Sequence, residues 1–239
     1  MKERADKVLA DKGLVASRSQ AKSLIENGDV LVNGTILKKA GELIDPVSEI
    51  VVNSKLFVGR GALKLVRALD VFKIKVQDKI FLDVGASTGG FTEVLLDHGA
   101  AKVYAIDVGH DQLAAKLRND SRVTNLEGTN IKELTSLPDQ ADGAVMDLSF
   151  ISVTKVLESV KSLLKSGADL MILVKPQFEA GKERLPKDGV IKDPKVQQAV
   201  LDEVIAYASS NGWKHLESID SPIEGKAGNR EFLSWFKKI

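Results

Sequence analysis

Residues 81–92 read FLDVGASTGGFT, and this stretch decides the fold prediction. A short apolar run ends in an acid, after which the chain turns through small residues, three of them glycines. In an open α/β sheet, ligands bind at the carboxyl ends of the strands. Small residues there let backbone N–H groups approach a ligand, and the start of the next helix adds a partial positive charge. The stretch therefore predicts a strand, a ligand-binding loop and a helix.

Apolar runs and helical stretches alternate around this motif. The runs are KIFLDV, KVYAIDV, VTNLEG, GAVMDL and ADLMILVKP, and the helical stretches are 91–98, 111–118, 152–165 and 195–210. The alternation predicts an α/β fold with a doubly wound, mostly parallel sheet. Two further strand-like runs, from residue 212 onward, surround a Gly-rich turn and predict an antiparallel closing pair, which brings the sheet to seven strands.

The first part of the chain has a different pattern. One short helix ends at Gly13, a second begins after Ser17 as N-cap, and the Asn33-Gly34 pair predicts a hairpin followed by a strand at 49–52. This small α+β unit is too small for a large catalytic cleft. We predict three segments: a small domain at 1–54, a linker at 55–60 and the α/β domain at 61–239.

Composition excludes several classes of function. The chain of 239 residues has no cysteine, so disulfides, thiolate nucleophiles and cysteine-bound zinc are excluded. The three histidines are widely spaced, and the net charge is only +1. The charged amino end lacks a secretion signal, and no apolar run approaches the roughly 18 residues of a membrane span. We expect a cytoplasmic protein without a metal and without a membrane partner.

A second acid, Asp107, ends the strand after the glycine loop. It lies 22 positions beyond Gly85 (107 − 85), where a carboxylate accepts hydrogen bonds from ribose hydroxyls. The G-x-G-x-x-G pattern of dinucleotide sites does not fit the loop, and the Gly-Lys-Ser/Thr ending of a phosphate-binding loop is missing. S-adenosylmethionine (AdoMet) is the remaining common ligand, and a tight structural turn without a ligand is the alternative.

Asn130, which follows the third strand, is either a contact for the adenine or a cap for the next segment. The residues expected to bind the cofactor are Asp83, Gly85, Ser87, Gly89, Gly90, Phe91, Asp107 and Asn130.

Four charged residues stand where apolar ones would pack more easily. Asp147 and Lys175 end the fourth and fifth strands, Lys64 lies on a helix before the first strand, and Glu231 begins a strand of the closing pair. A lysine at a buried strand end is either neutralised by a partner or kept for chemistry. Taken alone, Lys175 and Asp147 could form a structural ion pair.

Taken together, these four residues resemble the Lys-Asp-Lys-Glu set of the FtsJ-like ribose 2′-O-methyltransferases. The stretch RADKVLADKGLVASRSQAKSLIENGDVLVNG (4–34) resembles an S4 RNA-binding domain. With GRGALKL, MDLSFIS, VKPQFE, GVIKDP and GNREFL, the whole chain resembles the TlyA family. The resemblance implies a class I, Rossmann-like methyltransferase fold and methyl transfer from AdoMet to the ribose 2′-hydroxyl of a cytidine in ribosomal RNA. Lys175 would act as base, and Lys64 and Glu231 would position the ribose.

The implied partner is ribosomal RNA or a ribosomal subunit. Basic residues of the S4-like part would meet RNA phosphates. Those expected to do so are Arg4, Arg18, Lys22, Lys38, Lys39 and Arg60. The loop 179–194 is expected to be a mobile flap over the substrate.

Two other functions remain open at this point. Members of the TlyA family are also known as hemolysin A homologues, so a membrane-lytic protein is one alternative, although the sequence has no amphipathic or apolar membrane segment. The other is a ribosome assembly factor that binds RNA and has lost its catalytic activity.

Overall fold

A computed structural model describes residues 2–26, 28–52, 57–225 and 227–239 of the chain. They form two compact units, residues 1–60 and residues 61–239. The predicted linker at 55–60 lies partly outside the described residues. The predicted domain boundaries therefore stay a prediction.

The first unit packs two helices against short strands. Its elements are β1 (Glu3–Arg4), α1 (Ala5–Asp11), α2 (Arg18–Glu26), β2 (Val30–Val32), β3 (Thr35–Ile36), β4 (Leu43–Ile44) and β5 (Ile50–Val52). Strand β2 pairs antiparallel with β3 and β5. Asn33 and Gly34 both have positive φ, 50° and 77°, as the predicted two-residue hairpin requires. The small core includes Leu9, Ile25 and Val30, which are buried.

The second unit alternates strands and helices as predicted. Its strands are β6 (Ile80–Val84), β7 (Lys102–Asp107), β8 (Val123–Glu127), β9 (Ala141–Met146), β10 (Leu164–Val174), β11 (Trp213–Asp220) and β12 (Phe232–Lys238). Its helices are α3 (Ala62–Phe72), α4 (Gly90–Asp97), α5 (Ala115–Arg118), α6 (Leu157–Ser162), α7 (Pro176–Glu179), α8 (Gly181–Arg184) and α9 (Pro194–Ser210), with a 3₁₀ turn at Val153–Lys155.

All seven strands form one sheet in the order β11-β12-β10-β9-β6-β7-β8. The five strands from β10 to β8 are parallel, and β12 pairs antiparallel with both β10 and β11. The chain first runs outward from β6 to β8 and then returns to place β9 on the other side of β6. The strand order therefore reverses between β6 and β9, which is where ligands bind in such sheets. The predicted α/β fold with a mostly parallel seven-stranded sheet is confirmed.

Two predicted helices are wrong in their extent. The expected helix at 152–165 is divided into the 3₁₀ turn and α6, because Glu179 accepts the backbone N–H of Val153 and β10 already begins at Leu164. The expected helix at 111–118 begins only at Ala115, since the carboxylate of Glu127 accepts the backbone N–H groups of Gln112 and Leu113.

Candidate active site

The glycine loop lies at the point where the strand order reverses. Gly85 follows β6, Asp147 follows β9, and these two strands are neighbours in the sheet. Gly85 has a φ of +89°, and a Cβ atom there would lie 2.6 Å from the backbone oxygen of Asp147. No other residue fits that position without moving the backbone. The loop that the sequence singled out thus lies directly against the strand end that carries Asp147.

The rest of the loop leads into α4. Gly89 has a φ of +94°, and a Cβ there would collide with the side chain of Leu117. Ser87 also has a positive φ of 47°, and helix α4 begins at Gly90 with Phe91 buried behind it. The start of an α-helix presents backbone N–H groups that the helix itself does not use, and this cradle suits a polar ligand.

Asp107 ties this loop to the next one. Its Oδ2 accepts the backbone N–H of Ser87 at 2.7 Å, and its Oδ1 accepts the backbone N–H of Gly109 at 2.8 Å. The side-chain amide of Gln112 also accepts a hydrogen bond from Ser87 Oγ, at 3.2 Å. Asp107 therefore holds the two loops together and remains partly exposed.

Glu127 is a residue that the sequence reasoning missed. It ends β8, beside Asp107 in the parallel register. Its Oε1 accepts the backbone N–H groups of Gln112 at 2.5 Å and Leu113 at 2.9 Å. The hydrogen bond from the Asn125 amide, with these two, lowers the pKa of Glu127 to about 2. An acid at the end of a third parallel strand was the available signal, and it marks a group that holds the second loop in place.

Asp83 lies beneath the loop and not in it. Its carboxyl group is completely buried, and Oδ2 accepts a hydrogen bond from Thr92 Oγ1 at 2.6 Å. Oδ1 has no hydrogen-bond partner among the residues that the structure describes. Burial raises the pKa of Asp83 to about 7. A buried oxygen without a partner, next to the cradle, fits a site that takes a polar ligand.

Asn130 caps its own segment, which is the second of the two readings that the sequence allowed. Its Oδ1 accepts the backbone N–H of Lys132 at 3.1 Å, and its Nδ2 donates to Glu133 Oε1 at 3.1 Å. In this arrangement both polar atoms of the amide are used locally. A contact with adenine would require the side chain to give up these bonds.

Lys64 and Glu231 form a buried ion pair. Nζ of Lys64 lies 2.5 Å from Oε2 of Glu231, and the two side chains are only 6% and 3% exposed. Lys64 lies on the buried face of α3, together with Leu65 and Ala68. Glu231 immediately precedes β12.

Lys175 and Asp147 form a second pair. Nζ of Lys175 lies 2.6 Å from Oδ1 of Asp147 and donates a hydrogen bond to Ser149 Oγ at 2.9 Å. The contact with Asp147 is ionic and not an aligned hydrogen bond, because Oδ1 receives no hydrogen bond of normal geometry within the described chain. The amine of Lys175 is thus held by an acid and a hydroxyl in a side chain that is 10% exposed.

The sheet brings the two pairs to the same edge. Val174 pairs with Phe232 across β10 and β12, so Lys175 and Glu231 are neighbours just beyond this register. A Cβ atom on Gly61, which precedes the helix of Lys64, would lie 3.5 Å from Oδ2 of Asp147. The four charged residues therefore surround one place beside the glycine loop.

The expected RNA-binding residues belong to the first unit, where three of them lie close to acidic side chains. Arg4 and Arg18 both hydrogen-bond the carboxylate of Asp6, at 3.0 and 2.8 Å, and the bond from Arg4 contributes most to a pKa of Asp6 well below its usual range. Lys22 lies 3.7 Å from Glu26. Three further basic side chains are exposed, namely Lys38, Lys39 and Arg60.

Neither a membrane-spanning helix nor a metal-binding cluster occurs in the described part of the chain. It contains no helix that is long and apolar enough to cross a membrane. It also holds no group of three or more His, Cys, Asp or Glu side chains that could bind a metal ion together.

Comparison with known proteins gives matches over nearly the whole chain. Residues 57–238 match the model of the FtsJ-like methyltransferases, and residues 3–50 match the S4 domain. The chain is 43% identical over 239 residues to the 16S/23S rRNA (cytidine-2′-O)-methyltransferase TlyA of Mycobacterium tuberculosis, covering 98% of this chain and 89% of that protein.

Two other relatives carry a different name. Hemolysin A of Brachyspira hyodysenteriae is 40% identical over 237 residues, covering 98% of this chain and 99% of its own length. A solved structure of a hemolysin candidate from Streptococcus thermophilus is 41% identical, with a TM-score of 0.76 over 99% of this chain and 88% of that one. The glycine loop, the two ion pairs and these matches agree, and the chain belongs to the TlyA family, in which an S4 domain precedes an FtsJ-like methyltransferase domain.

Proposed function

We propose that this protein transfers a methyl group from AdoMet to the ribose 2′-hydroxyl of a cytidine in ribosomal RNA. The main support for this proposal is that two ion pairs, Lys64–Glu231 and Lys175–Asp147, lie beside the glycine loop. The name of the Mycobacterium tuberculosis relative supports the choice of substrate. Ribosomal RNA as substrate also favours a cytoplasmic site of action.

The residues around the loop fit the cofactor. The backbone N–H of Gly90, the carboxylate of Asp107 and the unpartnered oxygen of Asp83 would hold its polar groups. When bound, AdoMet supplies a methyl group that its sulfonium already activates. The protein therefore has to align the ribose hydroxyl and remove its proton.

We propose Lys175 as the group that takes this proton. As the methyl group passes from the sulfonium to the 2′-oxygen, the proton of the 2′-hydroxyl would pass to Nζ of Lys175. Asp147 and Ser149 fix the amine, and Asp147 stabilises the ammonium group that results. Lys64 and Glu231, held to each other on the other side, would hydrogen-bond and orient the ribose.

The first test is methyl transfer from labelled AdoMet to ribosomal subunits. We expect Lys175→Ala to abolish transfer to ribose while the affinity for AdoMet changes little, because Lys175 meets the substrate and not the cofactor loop. Lys214→Ala, which changes an exposed lysine at the start of β11, is the matched control and should keep full activity. Transfer that survives Lys175→Ala would refute the assignment of the base.

The names of two relatives make membrane lysis a second function to test. Purified protein is added to lipid vesicles loaded with a fluorescent dye. The proposed function predicts no release of dye. Release at the concentration that suffices for methyl transfer would support lysis as well.

We further propose that the S4 domain binds the RNA. Arg4, Arg18 and Asp6 form a cluster with one net positive charge on the first unit, and its other basic residues are exposed. Such a surface meets phosphates and orients structured RNA with little reading of sequence.

A further inference from the structure

A groove of about 320 Å³ lies next to the ion pairs but is separate from them. Its apolar wall includes Phe150, Ile151, Phe178 and Leu185. None of the four paired residues lines it, yet Nζ of Lys175 lies 5.8 Å from the centre of the Phe178 ring. We call this the 150–185 groove. An RNA strand that places one ribose at Lys175 would carry a neighbouring nucleotide past it.

Phe150 lines the groove and has an unusual exposure and backbone conformation. Its side chain is 91% exposed, and its φ is +67°, which is rare for a bulky residue. Its ring lies 5.2 Å from the ring of Phe178. Strained backbone and an exposed aromatic ring both favour a site that a ligand covers. Aromatic rings of this kind stack on the bases of single-stranded RNA.

Gln177 also lines the groove. Its Oε1 is buried and has no hydrogen-bond partner among the described residues. A buried amide oxygen without a partner is uncommon in folded proteins. The exocyclic amino group of a base is a donor that would satisfy it.

Glu179 also lines the groove, but its carboxylate is already used. It accepts hydrogen bonds from Ser152 Oγ at 2.5 Å and from the backbone N–H of Val153 at 3.0 Å. Burial raises its pKa. Glu179 therefore fixes the wall of the groove and is not a contact for the ligand.

Two lysines give the groove a positive charge. Lys155 and Lys182 line it and are exposed, and neither has a carboxylate within 4.0 Å in the described part of the chain. Lysines without an acidic partner beside an aromatic wall are the combination that binds single-stranded nucleic acid. Charge therefore favours a nucleotide over an apolar peptide.

We propose that the 150–185 groove binds the nucleotide next to the one whose ribose is methylated. Its base lies against Phe178 and Leu185 with its amino edge at Gln177, and its phosphate is met by Lys155 or Lys182. This inference rests on the proposed function and adds a second nucleotide to it.

Cross-linking tests the position of the nucleotide. The chain contains no cysteine, so Leu185→Cys introduces a single thiol at the groove, to which a short photo-activated cross-linker is attached. Tyr207→Cys on α9, a residue that is similarly exposed and lies outside the groove, is the matched control. After irradiation with ribosomal subunits, stops of reverse transcription map the linked nucleotide.

The expected stop for Leu185→Cys lies at the nucleotide adjacent to the methylated ribose, and Tyr207→Cys gives none there. A link to a ribosomal protein or to a distant nucleotide, or no link, would overturn the inference if the same subunits become methylated. Absence of methylation by the unmodified protein would instead refute the proposed function.

Kinetics give an independent measurement. Gln177→Leu and Lys182→Glu should each raise KM for ribosomal subunits by about 3- to 10-fold, leaving kcat and AdoMet affinity unchanged. Gln177→Leu breaks no hydrogen bond of its Oε1 within the described chain, so its Tm should not fall. Lys214→Glu, which changes the same charge on an exposed residue of β11 outside the groove, should leave KM unchanged. Unchanged KM in both groove variants would contradict the inference.

Discussion

Lys64 and Glu231 form an ion pair that is buried away from water, so each side chain neutralises the charge of the other. Removing one partner of such a pair leaves an unpaired charge in the interior, which costs about 3–5 kcal/mol. We expect Lys64→Met to lower the free energy of unfolding by about that amount, measured by urea denaturation. The double variant Lys64→Met/Glu231→Leu should recover most of the loss, because no charge is then left alone.

The control for this prediction is an exposed pair. Asp70 and Lys73 lie 3.2 Å apart with side chains 65% and 78% exposed. Asp70→Asn should change the free energy of unfolding by less than about 0.5 kcal/mol. Equal effects of Lys64→Met and Asp70→Asn would show that the buried pair is not isolated from solvent.

Asp83 should make stability depend on pH. Burial raises its pKa to about 7 in the folded protein, whereas the unfolded chain ionises near about 3.9. Between these values the folded state holds a proton that the unfolded state has lost. The free energy of unfolding therefore falls as pH rises from about 4 to about 7, and then levels off.

Asp83→Asn removes this contribution. The stability of the variant relative to the unchanged protein should rise by a few kcal/mol across that range. Denaturation curves at several pH values measure the difference. Parallel pH profiles for the two proteins would contradict the assignment.

In the loop between β6 and α4, the backbone conformation and the neighbouring strand allow only glycine at position 85. A methyl group on Gly85 would meet the backbone oxygen of Asp147, whereas one on Gly167, at a similar φ of +72°, would meet nothing within 4 Å. Gly167→Ala should therefore lower the free energy of unfolding by only roughly 1 kcal/mol, which is the cost of the left-handed conformation for a residue with a Cβ atom. Gly85→Ala should cost more than this and should also weaken AdoMet binding, because the loop has to move away from β9.

Calorimetric titration with AdoMet and a thermal melt of each variant give both quantities. If Gly85→Ala binds AdoMet as well as Gly167→Ala does, the loop does not form the cofactor site.

Elements with strong periodicity were predictable from the sequence. The alternation of apolar runs and helices predicts the sheet, because a parallel strand buried on both faces is apolar along its length. The division of 152–165 was not predictable, since it depends on Glu179, which is distant in sequence and reaches the backbone of Val153.

The charged residues of the site were predictable for a related reason. Asp147 and Lys175 follow directly on apolar strands, so their position at the sheet edge can be read from the chain. Glu127 was missed although an acid at the end of a strand was a signal for it, whereas Gln177 was not predictable. What sets Gln177 apart is an Oε1 without a hydrogen-bond partner among the described residues. That information exists only after folding.

The whole molecule consists of two units with separate cores. Leu9, Ile25 and Val30 belong to the core of the first, and Leu82, Met146 and Trp213 to that of the second. Residues 61–239 alone should therefore fold and bind AdoMet with unchanged affinity. Their affinity for ribosomal subunits should fall by about tenfold or more, because the RNA contacts of the first unit are lost. Filter binding with labelled subunits, compared with the full chain, measures this, and equal affinity would remove the role of the S4 domain.

The Lys64–Glu231 pair also has a consequence for how the protein becomes active. Its partners are 167 positions apart in the chain, so no local piece of the fold can assemble it. A half-made or clipped molecule could hold cofactor yet have no means of orienting a ribose. Only a molecule whose second unit has folded completely would thus be active. Incomplete molecules would not methylate ribosomal RNA.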